Sequence, residues 1–404
     1  MRIVHIHQYY NDGMGYQENI LPYYQKRLGH EVFLITSNLS NGFNEKDRNK
    51  GVRNYNNGVE INRISIKGEF KNRFVIFNGL YNKLSEIKPD YIFHHSVTAP
   101  SLATVCRYKK NNNNVFLVAD NHADLNISAR NKWWKIFYYN IFWKAFIKKY
   151  DKFIDLYFGV TPSRCLFLNE ELGVSNNKIR LLPIGADVEG LNIVKEEKEI
   201  LKKYNIDNNN FLIVHGGKMS RAKQVDRLIK AFSLIEDKNV NLILFGKIED
   251  KYLKNLISLD KRIIYLGWLD RADTLSILKL SDVGIWNTQH TTLLEDAIAM
   301  GLPMILRYYG STSHLINESG MFLYNGSTRE IYDKLNFIIN NKNMLIDYFK
   351  KNAVKMSELL SYDEIARESL EYKENLSQKR LHKIFMNKKF SDTNFRYFRK
   401  INRE

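Results

Sequence analysis

Residues 285–303 read IWNTQHTTLLEDAIAMGLP. The stretch begins at the end of an apolar run, residues 282–286, which is typical of a buried strand in a parallel sheet. Six polar residues, 287–292, follow that run. The apolar spacing then becomes helical, and Gly301 and Pro303 indicate where the helix ends. This order of strand, polar loop and helix predicts an α/β fold with the loop at the carboxyl edge of the sheet, where ligands bind.

The start of the helix offers binding chemistry of its own. It is expected near Thr291 or Thr292, where free backbone N–H groups and the positive end of the helix dipole suit a phosphate. Glu295 lies on about the first turn, where it can accept hydrogen bonds from the vicinal hydroxyls of a sugar. The alternative is an ordinary strand-to-helix turn whose glutamate favours the helix dipole. These residues alone leave both interpretations open.

The composition indicates a globular protein of more than one domain. A chain of 404 residues exceeds one core and predicts two or three domains, and 44% apolar with 26% charged residues is typical of a globular protein. Cys106 and Cys165 form neither a disulfide framework nor a metal-ligand spacing, which favours a reducing compartment. The first residues are too polar for a secretory signal, and no run of about eighteen apolar residues occurs. We therefore expect a cytoplasmic protein.

The net charge of +17 predicts an anionic partner, which could be nucleic acid, an anionic membrane surface or a phosphorylated substrate. No nucleic-acid recognition motif is present. Residues 132–149, KWWKIFYYNIFWKAFIKK, are aromatic and basic, but their lysines do not collect on one face of a helical wheel. The segment is either a buried helix with snorkelling lysines or a membrane-contacting surface. The basic, aromatic tail after Asn375 could likewise lie on anionic lipid or pack on the protein.

The second half of the chain begins with a second α/β pattern. A buried strand over residues 211–214 is followed by Gly216 and Gly217 and then by Lys218 and Lys223. Paired glycines let a backbone approach a ligand closely, and two lysines five positions apart around a turn can clamp a diphosphate. Neither lysine has an obvious carboxylate neighbour in the sequence. The pattern therefore indicates a diphosphate site rather than structural ion pairs.

The first half also alternates strands and helices. The strand over residues 2–7 leads into a loop with Gly13 and Gly15, which lacks the third glycine of a dinucleotide fingerprint. A later strand, residues 115–119, ends in Asp120-Asn121-His122-Ala123-Asp124, which places His122 and two carboxylates at the carboxyl edge. The alternative is a set of turn residues chosen for capping. The histidine pairs at 5/7 and 94/95 fit no ligand spacing, so we predict no metal site.

In this order and spacing, the segments resemble the family-4 glycosyltransferases of the two-Rossmann-domain (GT-B) type over nearly the whole chain up to about residue 365. The resemblance implies two Rossmann-like domains that face each other across a cleft, with a final helix crossing back to the first domain. It places the acceptor domain at residues 1–187, the donor domain at 188–365, and the crossing helix end and basic tail at 366–404. The segments that carry the resemblance are residues 13–15, 29–32, 161–163, 178–187, 217–223 and 294–303.

The resemblance also implies roles for particular residues. Lys218, where the family has Arg, and Lys223 would hold the donor diphosphate, and Glu295 would bind the ribose. Leu294 and its neighbours would cap the phosphate with backbone N–H groups. His122 is the best candidate for a sugar contact, with Asp120 or Asp124 as alternatives near the acceptor hydroxyl. The remaining donor-binding candidates are Gly15, Gly217, Gln289, His290, Thr291 and Thr292.

The sequence departs from the family at its two-glutamate motif. Asn287 stands where the first glutamate would contact the transferred sugar, and residues 288–290 replace the usual glycines. Asn287, Gln289 and His290 still donate and accept hydrogen bonds. We therefore count Asn287 with His122, Lys218 and Lys223 as catalytic candidates and interpret the chain as a divergent active subfamily.

The function expected from the resemblance is sugar transfer from a UDP- or GDP-sugar, with retention and with no metal or other cofactor. The expected acceptor is a glycan or polyprenyl-linked glycan at the cytoplasmic membrane face, as in the biosynthesis of capsule or lipopolysaccharide. Two alternatives stay open: a GT-B epimerase or phosphorylase, and a catalytically silent, membrane-associated scaffold. Nucleic-acid binding rests on charge alone and is not expected.

Overall fold

The protein is described by a computed structural model, which covers residues 1–11, 15–39, 53–56, 58–70, 73–125, 128 and 131–386. The chain forms two compact units. The first unit consists of Met1–Gly185 and Tyr362–Glu404, and the second of Ala186–Ser361. The chain thus leaves the first unit after Gly185 and returns to it at Tyr362.

The described residues form α/β elements in both units. The strands are β1 (Arg2–His7), β2 (Glu31–Ser37), β3 (Arg53–Asn56), β4 (Val59–Ile64), β5 (Ile66–Phe70), β6 (Phe74–Phe77), β7 (Tyr91–His94), β8 (Phe116–Asn121), β9 (Leu156–Gly159), β10 (Ile179–Leu181), β11 (Phe211–Gly216), β12 (Val240–Phe245), β13 (Ile263–Tyr265), β14 (Val283–Trp286), β15 (Met304–Arg307) and β16 (Gly320–Leu323). The helices are α1 (Gln17–Arg27), α2 (Leu80–Ile87), α3 (Ser101–Asn111), α4 (Lys132–Trp134), α5 (Lys144–Tyr150), α6 (Pro162–Glu170), α7 (Glu197–Tyr204), α8 (Val225–Ser233), α9 (Lys251–Ile257), α10 (Arg271–Leu280), α11 (Leu293–Ala299), α12 (Thr328–Asn340), α13 (Lys342–Leu359), α14 (Tyr362–Glu374) and α15 (Arg380–Met386).

The sheet of the first unit has the strand order β10-β9-β8-β7-β1-β2-β4-β3. Its neighbouring strands are parallel except for β3, which pairs antiparallel with β4. The chain order reverses between β1 and β7, so the loops that follow these two strands flank the topological switch point. The strands β7 and β9 are buried along their whole length, because helices cover both faces of a parallel sheet.

The last helices belong to the first unit. In α14, the Ser369 carbonyl accepts a hydrogen bond of 3.0 Å from the Tyr91 hydroxyl of β7. In α15, His382 Nδ1 accepts one of 2.8 Å from the backbone N–H of Leu181 in β10. The predicted helical return of the chain to the first domain is therefore confirmed.

The second unit has a six-stranded sheet in the order β13-β12-β11-β14-β15-β16, and every neighbouring pair in it is parallel. The order reverses between β11 and β14, as in a Rossmann fold. Apolar residues of α8 at helical spacing, such as Leu228, Ile229 and Phe232, pack into the core against β11 and β12. Two Rossmann-like units with parallel sheets confirm the predicted fold class. The loops after β11 and β14 meet at the switch point of this sheet.

The aromatic, basic segment is helical, as predicted, but not as one α-helix. A π-helix over Lys135–Trp143 connects α4 to α5. A π-helix has more residues per turn than an α-helix, so an ideal wheel misplaces its side chains. None of the described helices combines the length and the apolar character that crossing a bilayer requires.

Candidate active site

Two glycines shape the loop that follows β11. Gly217 has a φ of 108°, a conformation that side chains disfavour, and a Cβ atom there would meet no atom within 4 Å. Gly246, after β12, has a φ of 109°, and a Cβ atom there would lie 2.2 Å from the Gly217 carbonyl oxygen. The backbones of the two loops therefore touch. Open space lies on the side of Gly217 where a Cβ atom would point. Such space is what the close approach of a ligand to this backbone requires.

The two lysines of this loop have different surroundings. Lys218 Nζ lies 2.7 Å from Glu249 Oε1, a carboxylate that is distant in the sequence, so Lys218 does take part in an ion pair. Lys223 forms no ion pair with any described carboxylate. Burial lowers the pKa of Lys223, as does the charge of Lys218, while Glu249 opposes the change. Two ammonium groups that repel each other, one of them without a counterion, make a site for a polyanion.

The polar loop after β14 leads into α11, as predicted. Thr292 is the N-cap of α11, and its side chain makes no capping hydrogen bond. The side chain of Leu294 is buried in the core, and its backbone N–H donates to the Thr291 carbonyl over 3.0 Å. The N–H of Leu294 is therefore engaged within the turn and is not the free phosphate donor that the resemblance implies.

Glu295 is a buried carboxylate, since the residue is only 3% exposed. One of its two oxygens is in contact with another side chain. His290 Nε2 lies 2.6 Å from Glu295 Oε1. Glu295 Oε2 is buried and has no hydrogen-bond partner among the described residues, and the same is true of Gln289 Oε1. An unpartnered buried acceptor is costly unless a ligand supplies a donor. Glu295 Oε2 and Gln289 Oε1 can therefore accept hydrogen bonds from sugar hydroxyls.

Asn287 connects the two loops. Its Nδ2 donates to Gln224 Oε1 over 2.9 Å and to the Gly326 carbonyl over 2.8 Å. Gln224, which directly follows Lys223, has a left-handed φ of 58° that only few non-glycine residues adopt. Sequence reasoning did not identify Gln224. The structure thus brings the lysine loop and the Asn287–Glu295 segment together at the switch point.

In the first unit, the predicted acceptor residues belong to a histidine cluster. Asp120 is fully buried, and its Oδ2 lies 3.1 Å from His122 Nε2 and 3.0 Å from His95 Nδ1. Its Oδ1 accepts a hydrogen bond of 2.7 Å from the Ser96 N–H. Burial alone would raise the pKa of Asp120, but the charges and hydrogen bonds of His122 and His95 outweigh it and hold that pKa well below its usual value. Asp120 is therefore an ionised group that orients its neighbours.

The cluster continues into the interior as a chain of hydrogen bonds. His95 Nε2 lies 3.0 Å from His5 Nδ1, and His5 Nε2 lies 2.7 Å from Gln25 Oε1. Gln25 Nε2 donates to Ser369 Oγ of α14 over 3.0 Å. Burial and the charge of His95 lower the pKa of His5 to about 3, so His5 is neutral. Gln25 Oε1 can only accept, so His5 donates from Nε2 and its Nδ1 is the acceptor that faces His95 Nε2.

The remaining candidate residues of the first unit are Asp124 and Gly15. Asp124 is buried and lies 3.7 Å from Arg164 Nε, which makes it an unsuitable direct contact for an acceptor. Gly15 lies in the loop after β1, whereas Gly13 and Met14 are outside the described residues. Candidate ligand atoms of His95, Asp120 and His122 lie within 4.8 Å of one another, although sequence spacing predicted no metal site. Hydrogen bonds within the cluster already link Asp120 to each histidine.

The comparisons with known proteins agree with this geometry. Residues 16–189 match the profile described as Glycosyltransferase Family 4, and residues 196–356 match that described as Glycosyl transferases group 1. The chain belongs to the group 1 glycosyltransferases of the family-4 kind. No curated protein matches it significantly.

Several solved structures share the fold of this family-4 glycosyltransferase. A glycosyltransferase from Rickettsia africae has 16% identity and a TM-score of 0.68, covering 93% of this chain and 98% of its own. HepE from Anabaena, crystallised with UDP and glucose, has 15% identity and a TM-score of 0.65, covering 92% and 98%. WaaG, a glycosyltransferase of lipopolysaccharide biosynthesis, has 14% identity and a TM-score of 0.59, covering 92% and 100%. At these identities the likeness shows the fold alone.

Proposed function

We propose that this glycosyltransferase moves a sugar from a UDP- or GDP-sugar to a hydroxyl of a glycan or lipid-linked glycan, with retention and without a metal. The observation that carries the proposal is the Lys223 ammonium, which forms no ion pair with a described carboxylate, in the loop that Gln224 and Asn287 link to the segment of the buried Glu295. A nucleoside diphosphate sugar offers a polyanion to the first and ribose hydroxyls to the second. The binding of UDP by the similar HepE protein supports this class of donor.

In the proposed reaction, the lysines stabilise the leaving nucleoside diphosphate. Negative charge develops on the diphosphate as the glycosidic bond breaks, and fixed cations lower the barrier because they need no reorganisation. Lys223 meets that charge directly. Lys218 exchanges its contact with Glu249 for a phosphate oxygen, so part of its contribution offsets the broken ion pair. We therefore rank Lys223 above Lys218 in its effect on the reaction.

His122 is the proposed sugar contact in the first unit. Its side chain is 41% exposed, and its Nε2 is held by Asp120. Because Nε2 carries the proton in that bond, Nδ1 is left as the atom that can bond to a sugar hydroxyl. Asp120, fully buried, is then a positioning residue and does not contact the substrate.

A panel of nucleotide sugars tests the donor proposal. A ligand that binds only the folded state raises the melting temperature, by about 5 °C or more when its concentration is about 100 times Kd. We expect one base, uracil or guanine, to produce this rise in the presence of a chelator as well as without it. The absence of a rise for every nucleotide would contradict the proposal, and a rise that the chelator abolishes would contradict metal independence.

Product analysis separates the alternative functions. Mass spectrometry of the donor after incubation without acceptor would reveal an epimer or a sugar phosphate if the enzyme were an epimerase or phosphorylase. A glycan product that forms only with acceptor is the result expected of a transferase. A scaffold would bind its partners equally well without nucleotide. The similar WaaG protein acts in lipopolysaccharide biosynthesis, which supports a surface-polysaccharide acceptor.

We also propose that the segment from α4 to α5 contacts an anionic membrane surface. Trp133, Phe137, Ile141 and Phe142 are all more than half exposed. Trp133 stacks on Phe137 with ring centroids 5.9 Å apart, so the two rings form one apolar surface. Lysines at both ends of the segment supply positive charge next to it. Exposed tryptophan beside lysine is typical of a surface that binds the headgroup region.

Replacing the exposed rings should weaken membrane binding. We expect the double variant Trp133→Ala, Phe137→Ala to bind phosphatidylglycerol vesicles at least about 10-fold more weakly than the wild type, since each ring loses buried apolar area. Vesicle co-sedimentation measures the effect. The matched control is Trp268→Ala, which removes an equally exposed tryptophan (72%) of the second unit. Equal binding by all three proteins, or equal binding to phosphatidylcholine vesicles, would contradict the proposal.

A further inference from the structure

Arg307, the last residue of β15, is a buried cation that forms no ion pair with a described carboxylate. It is 5% exposed, and its Nε and Nη1 have no hydrogen-bond partner among the described residues. Glu330 attracts Arg307 without forming an ion pair, since its two carboxylate oxygens accept the backbone N–H groups of residues 324–326 over 2.6 to 2.9 Å. The Tyr309 ring has its centroid 5.6 Å from Arg307 Cζ and offsets part of the free-energy cost of burying the charge. A bound anion would offset more of that cost.

The surroundings of Arg307 place it beside Asn287. A Cβ atom on Gly326 would lie 2.0 Å from Arg307 Nη1 and 2.2 Å from Asn287 Oδ1, so both atoms face the same glycine. Asn287 Oδ1 is also buried and without a hydrogen-bond partner in the described part of the chain. A second cation, Arg227, donates to the Gly326 carbonyl over 3.1 Å and to Gln224 Oε1 over 3.3 Å. The local charge at the carboxyl ends of β14 and β15 is therefore positive.

The residue at position 287 determines which kind of sugar can bind next to this positive charge. In the family that the sequence resembles, a glutamate at this position contacts hydroxyls of the transferred sugar. A glutamate would neutralise Arg307 and repel an acidic sugar. Asparagine does neither, and its Nδ2 is fixed by Gln224 and Gly326. The replacement of a carboxylate by an amide beside a buried arginine changes the subsite from one for a neutral sugar to one for an anion.

We infer that Arg307, next to Asn287, binds a carboxylate on the transferred sugar, so that the donor is a nucleoside diphosphate sugar acid. This inference rests on the proposed function, because it assigns the sugar of that donor. Guanidinium groups bind carboxylates through two parallel charge-assisted hydrogen bonds. In Arg307, Nη2 shares one such edge with Nε and another with Nη1, the two atoms that have no hydrogen-bond partner among the described residues. The donor diphosphate is the other anion that Arg307 could bind, and the experiment below distinguishes the two.

Binding measurements with paired donors test the inference. Isothermal titration calorimetry compares UDP, UDP-glucose and UDP-glucuronate, and likewise GDP, GDP-mannose and GDP-mannuronate. We expect the wild type to bind one sugar acid about 100-fold more tightly than its neutral counterpart. Arg307→Gln should abolish this preference and leave the affinity for UDP or GDP within about 2-fold. Its melting temperature should be unchanged or higher, because the variant removes a buried charge that forms no ion pair with a described carboxylate.

Several results would overturn the inference. They are a wild type without preference for either acid, a preference that survives in Arg307→Gln, an equal loss of affinity for the bare nucleotide, and a lower melting temperature of the variant. The loss for bare nucleotide would assign Arg307 to the diphosphate. The matched control is Arg329→Gln on α12, which removes an exposed guanidinium that pairs with Asp333 and should leave every affinity unchanged. Failure of all nucleotides to bind would instead refute the proposed function.

Discussion

Lys223→Ala is expected to weaken the binding of the donor nucleotide about 100-fold, because a charge-assisted bond to phosphate is lost and Lys218, which also pairs with Glu249, does not replace it. The side chain is partly buried, forms no ion pair with a described carboxylate, and has a pKa lowered by burial and by Lys218. A partly buried cation without an ion pair gains more interaction free energy from a bound anion than a cation that is already paired. Calorimetry with UDP or GDP measures the loss, and release of nucleotide from the donor measures the accompanying fall in turnover.

Comparison with Lys218→Ala tests the physical reason for this effect. Lys218 already has Glu249 at 2.7 Å, so its contact with phosphate replaces an existing ion pair and its loss should cost less. The variant Lys198→Ala, in the exposed first turns of α7, is the matched control for loss of one positive charge in the same unit. An effect of Lys218→Ala that exceeds that of Lys223→Ala would contradict the assignment. So would an equal effect of all three variants, which would indicate long-range attraction alone.

The pH dependence of nucleotide affinity should reflect the protonation of Lys223. A cation whose pKa is lowered loses its proton at a lower pH than an ordinary lysine does, and with the proton it loses its attraction for phosphate. Affinity for the nucleotide is therefore expected to decline on the alkaline side earlier in the wild type than in Lys223→Arg, whose guanidinium stays charged. Superimposable alkaline limbs would show that Lys223 does not titrate in this range.

The sequence was most informative where one local pattern predicts both a secondary-structure element and a binding loop. The strands β11 and β14 are continuous apolar runs followed by glycine or polar loops, and their adjacency at a switch point follows from the Rossmann topology. The hairpin of β5 and β6 escaped prediction because β5 is largely exposed and the four residues of β6, FVIF, are all apolar, so neither shows an alternating polar pattern. The aromatic segment over residues 132–149 was predicted to be helical, but its exposed face depends on a π-helix that a regular wheel does not represent.

Contacts between distant residues account for what sequence reasoning missed. Glu249 reaches Lys218 because the loops after β11 and β12 touch at Gly217 and Gly246. His95 meets Asp120 because β7 and β8 pair in a register that aligns His94 with Ala119, which places the next residues of both strands side by side. Strand order and register were needed to see that pair. The importance of Arg307 depends on its burial without an ion pair to any described carboxylate, and the sequence does not indicate this arrangement.

Asp120→Asn should lower turnover of the donor about 100-fold while leaving the affinity for UDP or GDP unchanged. The asparagine keeps the shape of Asp120 but removes the charged acceptor that holds His122 Nε2, so His122 Nδ1 is less well directed toward the sugar. Wild-type Asp120 is ionised throughout the neutral range, since its pKa is held well below the usual value. Steady-state kinetics measures the turnover, and calorimetry with UDP or GDP measures the affinity.

Three measurements separate positioning by Asp120 from a merely structural role. In the double variant Asp120→Asn, His122→Ala, turnover should fall no further than in His122→Ala, because both changes act through one side chain. Asp124→Asn, the matched buried carboxylate beside Arg164, should lower the melting temperature but keep most of its turnover at temperatures well below it. Asp120→Asn should keep its loss of turnover at those temperatures. Additive losses in the double variant, or turnover of Asp120→Asn that recovers on cooling, would show that the carboxylate holds the fold together and does not position His122.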